Sequence, residues 1–336
     1  MVSHLLPGMY LGGVESGIKK SFFDINREFD YQIFYVKGSG FFDVNQKSFL
    51  FLLFKILFAN KKPSLIISSL WWGHFIAYLL SFSKIKWVVF IHSSGFSSIL
   101  DKFFINLALK KAKYFFFDSI SSRKKFKKNI NGRTFYIPYY FADNELSYEI
   151  NLKPKYDFIW VGRNSKEKRI DLLLYFCKIL EKRKYECSVC IVIAGNKIKN
   201  FEEIVSKFNF VKFDFFYNKS SEELNKIYCD SQMVLCFSDY EGFSATIFEA
   251  ILKGNLVASR RVGDIEHYIE KENSVFLDKT DEFSLNEFVD SIIKLLENKS
   301  AIYAKRVNAR EFIKKKYKNL SYSNSFIESL KTILSE

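Results

Sequence analysis

Twice along this chain, short apolar runs alternate with helix-length amphipathic stretches, and the alternation lapses once between the two series. The first series has strand-like runs at Val2–Leu6, Gln32–Val36, Ser64–Ser68, Lys86–His92, Tyr114–Asp118 and Thr134–Pro138. The second has them at Asp157–Val161, Ser188–Ala194, Val211–Phe215, Met233–Phe237, Leu256–Ser259 and Ser274–Leu277, with helices expected at Ile170–Arg183, Ser221–Cys229, Ser244–Leu252 and Ile265–Lys271. Runs of this kind separated by helices are the pattern of βαβ units in parallel sheets. Polar residues with Asn, Asp and Pro fill Tyr139–Pro154, the candidate linker. The expected organisation is an α/β chain of two Rossmann-like domains facing each other across a cleft. Residues 1–150 form the first domain, 151–318 the second, and a helix over 319–336 packs back toward the first.

A chain of 336 residues is long enough for two cores. Its 48% hydrophobic and 26% charged content excludes disorder, collagen and a disulfide scaffold. Lys, Phe, Tyr, Asn and Ile are inflated together, as in AT-rich genomes, so compositional drift and a real preference for anions both bear on the net charge of +14. The longest apolar runs, Ser48–Ala59 and Ser69–Phe82, fall short of the ~20 residues that span a bilayer. The first residues lack the features of a signal peptide, and the expected location is the cytoplasm, with peripheral attachment to the inner membrane open. Cys187 and Cys190, three apart on a strand, face opposite ways and read as core residues rather than metal ligands.

Chemistry concentrates in Ser238-Asp-Tyr-Glu241-Gly242-Phe243-Ser244-Ala-Thr-Ile-Phe248-Glu249-Ala250, directly after a predicted strand. With a helix starting near Ser244, Glu241 falls in the loop before it and Glu249 inside it. The helix N-terminus suits a diphosphate or sugar hydroxyls. Arg163, Lys166, Lys168 and Arg169 crowd the end of the first strand of the second series, where Arg supplies a bidentate fork and Lys a point charge for phosphate. The chain has no Asp-x-Asp, the pair that metal-dependent nucleotide-sugar enzymes use, so no metal and no other cofactor is expected. Gly12 and Gly13, after the first strand, allow backbone to approach a ligand closely. Of four histidines, His92 lies at a predicted strand end, and structural and functional roles both stay open for it.

From about Gly12 to Leu277 the chain resembles glycosyltransferase family 4, the retaining GT-B glycosyl transferases of group 1. The resemblance rests on Gly162-Arg163 with Lys168, and on Glu241-Gly242-Phe243 through Glu249-Ala250, followed by Gly254 and Val257–Ser259. Asp264, Ser274 and Phe215 depart from the family pattern. The resemblance implies that Arg163 and Lys168 hold the donor diphosphate, Glu241 and the backbone of Gly242, Phe243 and Ser244 the transferred sugar, and Glu249 the ribose. Gly12 and Gly13 would serve the diphosphate, and His92 would bind a sugar hydroxyl near the anomeric carbon. The implied activity is metal-independent transfer, with retention, from a nucleotide-diphosphate sugar to a lipid-linked or lipopolysaccharide glycan in bacterial surface polysaccharide or capsule synthesis. Competing readings are a GT-B nucleotide-sugar epimerase or hydrolase, and a catalytically silent GT-B partner protein. The basic run Lys110–Arg133 fits a solvated face or an anionic membrane surface, and no nucleic-acid module is recognisable.

Overall fold

In the computed structural model the apolar runs pair as parallel strands, and the structure describes residues 1–8, 13–37, 62–83, 85–96, 98–139, 149–198 and 201–336. Gly12, the Ser48–Ala59 run and residues 140–148 of the expected linker lie outside the described residues. The chain divides into two compact units, Met1–Phe141 with Leu320–Glu336, and Ala142–Asn319. The division therefore falls before residue 150. Ile150 is buried with its side chain against Gly254, and Arg306 donates to the Asn151 carbonyl at 3.0 Å, which ties both residues into the second unit.

The first unit is built on β1 (Val2–Gly8), β2 (Tyr31–Lys37), β3 (Leu65–Ser69), β4 (Lys86–Ile91), β5 (Tyr114–Phe117) and β6 (Arg133–Tyr136), in the order β2-β1-β3-β4-β5-β6. Parallel strands are buried on both faces, which is why they read as continuous apolar runs rather than alternating ones. Leu5, Ile66, Val89, Phe115 and Phe117 pack with residues of the helices Leu70–Leu80 and Ile99–Lys111. Gly73 lets the Leu70–Leu80 helix sit close to β1, since a Cβ there would come within 2.7 Å of the Leu5 carbonyl oxygen. Val2, Leu6, Ile67, Phe90 and Phe116 pack with the helix Gly13–Glu28 and the C-terminal helix Tyr322–Ser335.

That last helix completes the first unit. Phe326 is fully buried, with its ring 5.3 Å from Phe116, 6.1 Å from Tyr31 and 6.4 Å from His4. Phe326→Ala is expected to cost about 3–5 kcal/mol, the usual range for emptying a buried aromatic site. Urea unfolding would read this as a lower midpoint at unchanged slope, and a midpoint equal to wild type would show that the helix does not seal this core.

The second unit has the order β12-β11-β10-β7-β8-β9, from β7 (Tyr156–Arg163), β8 (Cys187–Ala194), β9 (Val211–Tyr217), β10 (Ser231–Cys236), β11 (Leu256–Arg260) and β12 (Ser274–Leu277). Its core joins Phe158, Trp160, Phe176, Ile191, Leu235 and Phe288. Cys187 and Cys190 are free and buried on β8, and burial pushes both thiols up to about 12. The helix expected over Ile265–Lys271 stops at Tyr268, because Ile269 turns to extended backbone (φ −135°) and is drawn into the core. A short helix at Phe201–Val205, not expected from the sequence, follows β8. The chain beyond β12 forms three helices, Glu282–Glu297, Lys299–Tyr317 and Tyr322–Ser335, the last within the span expected to be helical, with Asn298 and Ser321 capping the second and third through their side chains.

Candidate active site

In the second unit the crossover order brings the carboxyl ends of β7 and β10 together, since these strands pair with Phe158 opposite Met233 and Trp160 opposite Leu235. Ligands of open α/β sheets sit at such strand ends. Lys168, in the tight turn Lys166–Lys168 after β7, places Nζ 2.6 Å from Oε1 of Glu241 in the loop after β10. Both side chains are largely buried, at 19% and 11% exposure. Burial alone would lower the Lys168 pKa, but the attraction of Glu241 outweighs it and the pKa is raised, so the lysine is charged at neutral pH. Trp160, Lys168, Cys236, Ser238, Glu241 and Ser244 line one small recess. Arg163 ends β7 with its side chain 61% exposed and makes a 3.4 Å contact to Glu167, an arrangement that leaves the guanidinium facing solvent.

The loop carrying Glu241 is braced from several sides. The Asp239 N–H donates to the Glu167 carbonyl at 2.8 Å, and the Asp239 carboxylate accepts from Arg169 at 3.1 Å and from Arg260. The Asp264 N–H donates to the Gly242 carbonyl at 2.9 Å. Gly263 makes that approach possible. Its φ is +59°, and a Cβ on it would collide with the Gly242 carbonyl oxygen and come within 2.8 Å of the Glu241 Cβ. Asp264, which stands where the family commonly has a second glycine, is fully buried, and its carbonyl accepts from His267 at 2.8 Å.

Two non-glycine residues of these loops are left-handed, Arg169 (φ +49°) and Ser244 (φ +60°). Such backbone is costly and clusters where structure serves a site. Ser244 starts the helix Ala245–Leu252 without a side-chain cap, and its carbonyl accepts from Tyr268 Oη at 3.3 Å. Phe243 is buried among Phe248, Tyr268 and Tyr317, so any ligand contact at this position falls to its backbone. Gly242 is buried beside it, and Glu249 is half-buried within the helix. Arg163, Lys168, Glu241, Gly242 and Ser244 are thus gathered at the ends of β7 and β10. Arg169, read from the sequence with the cations for phosphate, instead braces this loop through Asp239 and pairs with Asp171, while the bracing by Asp239, Arg260 and Gly263 went unread because it acts through contacts remote in sequence.

In the first unit, Gly13 opens the helix Gly13–Glu28 after β1. His92 follows β4 and is 5% exposed at its side chain. Its Nδ1 lies 2.7 Å from Asp118 Oδ2 and its Nε2 3.0 Å from Ser69 Oγ. Ser69 Oγ is also 2.8 Å from His4 Nε2, and His4 Nδ1 is 2.6 Å from Tyr31 Oη. Burial lowers the pKa of His4, and likewise of His74, to about 3, so both rings are neutral at ordinary pH. Sequence reasoning found His92 but not its partners. A signal existed in Asp118, the lone acid of a basic run that ends a strand neighbouring β4.

Two parallel doubly wound units, the second with cations and a paired glutamate at its central strand ends, define the GT-B class of fold. The family profile of "Glycosyl transferases group 1" matches residues 144–317, and the chain belongs to that family. The fold is similar to Anabaena Alr3699/HepE, solved with UDP-glucose, at TM-score 0.75 and 17% identity over 100% of this chain and 99% of that one. It is similar also to sucrose-phosphate synthase from Thermosynechococcus elongatus, at TM-score 0.78 and 15% identity over 99% of each. An uncharacterized 41.2 kDa protein in the cps region of Klebsiella pneumoniae is 26% identical over 181 residues, 54% of this chain. That match spans 47% of the curated relative's length.

Proposed function

We propose that the protein is a glycosyltransferase that takes its sugar from a nucleotide-diphosphate donor, without a metal, and transfers it with retention to a surface glycan. The observation that carries this reading is the Lys168–Glu241 pair beside the solvent-facing Arg163. Arg163 and Lys168 hold the diphosphate and take up the charge it gains on leaving, which is the task a divalent ion has in other enzymes. Glu241, with the backbone of Gly242, Phe243 and Ser244, holds the transferred sugar, while Glu249 reaches the ribose. In the first unit Gly12 and Gly13 serve the diphosphate and His92 binds a sugar hydroxyl.

In the transfer, the bond from the anomeric carbon to the diphosphate oxygen breaks as the acceptor oxygen bonds to the same face. The acceptor's proton goes to the departing phosphate oxygen. A structural neighbour solved with UDP-glucose supports a nucleotide-sugar donor, and the relative from a cps region supports a surface-polysaccharide acceptor. Exposed Ile99, Phe103 and Phe82, with Lys102, Lys110 and Lys111 on the same helix as Ile99 and Phe103, suit a lipid-linked acceptor held at an anionic membrane surface. Among the described residues no helix is long and apolar enough to cross a membrane.

A panel of UDP-, GDP-, ADP- and TDP-sugars without added metal tests the reading. One ligand is expected to raise the melting temperature, by an increment equivalent to ~2.7 kcal/mol at a hundredfold excess over Kd. The increment should vanish in Arg163→Ala. Should no nucleotide sugar bind the wild type, the silent partner-protein reading takes its place.

A further inference from the structure

We propose that Asp118, Ser69, His4 and Tyr31 are positioning residues for His92: one hydrogen-bond chain of a single polarity, from the Tyr31 hydroxyl to the Asp118 carboxylate, keeps the His92 proton on Nδ1 and leaves Nε2 as an acceptor. The inference rests on the reading of His92 as a ligand of a sugar hydroxyl, and deepens it.

The register places all five residues on one face of the first sheet. Tyr31 is opposite Val2, two before His4; His4 is opposite Ile67, two before Ser69; Ser69 is opposite Phe90, two before His92. Phe117 is opposite Ile91, so Asp118 falls level with His92. Side chains two apart on a strand share a face, so the line runs through β2, β1, β3, β4 and β5 in their order in the sheet. The C-terminal helix covers this line, with Phe326 over His4 and Phe90.

The direction of each bond follows from the two ends. An ionised carboxylate only accepts, so His92 Nδ1–H donates to Asp118 at 2.7 Å and a neutral His92 accepts at Nε2. Ser69 Oγ–H then donates to His92 at 3.0 Å, which makes the serine oxygen the acceptor for His4 Nε2–H at 2.8 Å. His4 Nδ1 is left to accept from the Tyr31 hydroxyl at 2.6 Å. Burial holds the Tyr31 pKa well above its usual value, so that hydroxyl keeps its proton, and burial keeps His4 neutral. A neutral imidazole carries a single N–H, so turning the Ser69 bond round at a neutral His92 would strip the proton from the bond to Asp118 and set Nδ1 against the carboxylate as two acceptors.

Local structure bends to keep Ser69 in the line. Ser69 sits at the N-cap of the Leu70–Leu80 helix, where serine normally caps, yet its side chain makes no capping bond. The next residue, Leu70, is left-handed at φ +61°, a conformation that bulky residues avoid. The hydroxyl is withdrawn from the helix and directed between two imidazoles. Among the described residues Asp118 Oδ1 has no hydrogen-bond partner, so holding His92 through Oδ2 is the carboxylate's visible task. A sugar hydroxyl that takes the place of Ser69 at His92 Nε2 would therefore meet a lone pair and be held as a donor.

Nitrogen NMR of histidine-labelled full-length protein, with no donor present, tests the chain apart from transferase activity. The expected result is opposite tautomers in the wild type, His92 protonated on Nδ1 and His4 on Nε2. Asp118→Ala should mix the tautomers of His92, and Tyr31→Phe, which removes the donor to His4 Nδ1, should mix those of His4 and shift His92 by a smaller amount. Like tautomers in the wild type, or a His92 signature untouched by Asp118→Ala, would overturn the proposal even if the protein transfers sugar. Where a donor has been found, Asp118→Ala should lower kcat about 10- to 100-fold, as expected for one lost hydrogen bond to a charged group, with donor KM changed less. Normal tautomers without any sugar transfer would instead count against the glycosyltransferase reading alone.

Discussion

Lys168→Met is expected to remove both the response to donor and a large part of the second unit's stability. The Lys168 and Glu241 side chains are 19% and 11% exposed, so truncating the lysine leaves a carboxylate largely buried without its cation. Removing one member of such a pair costs about 3–5 kcal/mol. For a unit of this size that is a fall in melting temperature of roughly 10 °C. Donor binding should fall beyond detection, and any residual turnover should drop by about 100- to 1000-fold, as when one electrostatic stabiliser of a leaving group is lost.

The double variant Lys168→Met with Glu241→Met separates the two effects. An apolar pair of similar volume is often as stable as the ions it replaces, so the melting temperature should recover while the donor response stays absent. A donor response in either variant would sink the assignment of this pair. The sign with pH follows from the raised pKa of Lys168. Stability from the pair is fully present below the ordinary lysine value and is lost only as pH rises through the higher folded one.

Gly263→Ala is the second large effect. A Cβ at φ +59° is strained in itself, and here it would collide with the Gly242 carbonyl oxygen while lying 2.8 Å from the Glu241 Cβ. Backbone cannot yield as a flexible side chain would, so the loop must shift, and the 2.9 Å bond from the Asp264 N–H to Gly242 goes with it. Strain and overpacking together should cost about 2–4 kcal/mol. Because the atoms displaced belong to Glu241 and Gly242, the donor response should vanish although circular dichroism remains that of a folded chain. Gly195→Ala is the comparison for stability. Gly195 also has a left-handed φ, +103°, but nothing lies within 4 Å of its Cβ position, so only the conformational part of the cost remains. Equal destabilisation in the two variants, with donor binding kept in Gly263→Ala, would show that the close approach does not set the loop.

Much of this protein is written in short-range pattern. The central strands among the described residues follow apolar runs, since a strand buried on both faces must be apolar along its length. The spacing from Arg163 to Lys168 and from Glu241 to Glu249 is likewise local, set by one turn and one helix, and a chain read alone displays it. Family membership was legible for the same reason.

What remained hidden depends on which strands become neighbours and in what register. Lys168 and Glu241 are 73 residues apart and meet because β7 and β10 pair, a crossover that no local signal specifies. His4 and Asp118 fell within strand-like runs and Ser69 opened an apolar run, and a slip of one residue would turn each to the opposite face. Phe243 lay within the chemical motif, yet its ring went to the aromatic core because Tyr268 and Tyr317 were there to receive it. Period and spacing are properties of adjacent residues, so sequence determined the elements and the candidate chemistry. Sheet order and register are properties of the whole chain, so only the tertiary structure decided which side chains hold one another in place.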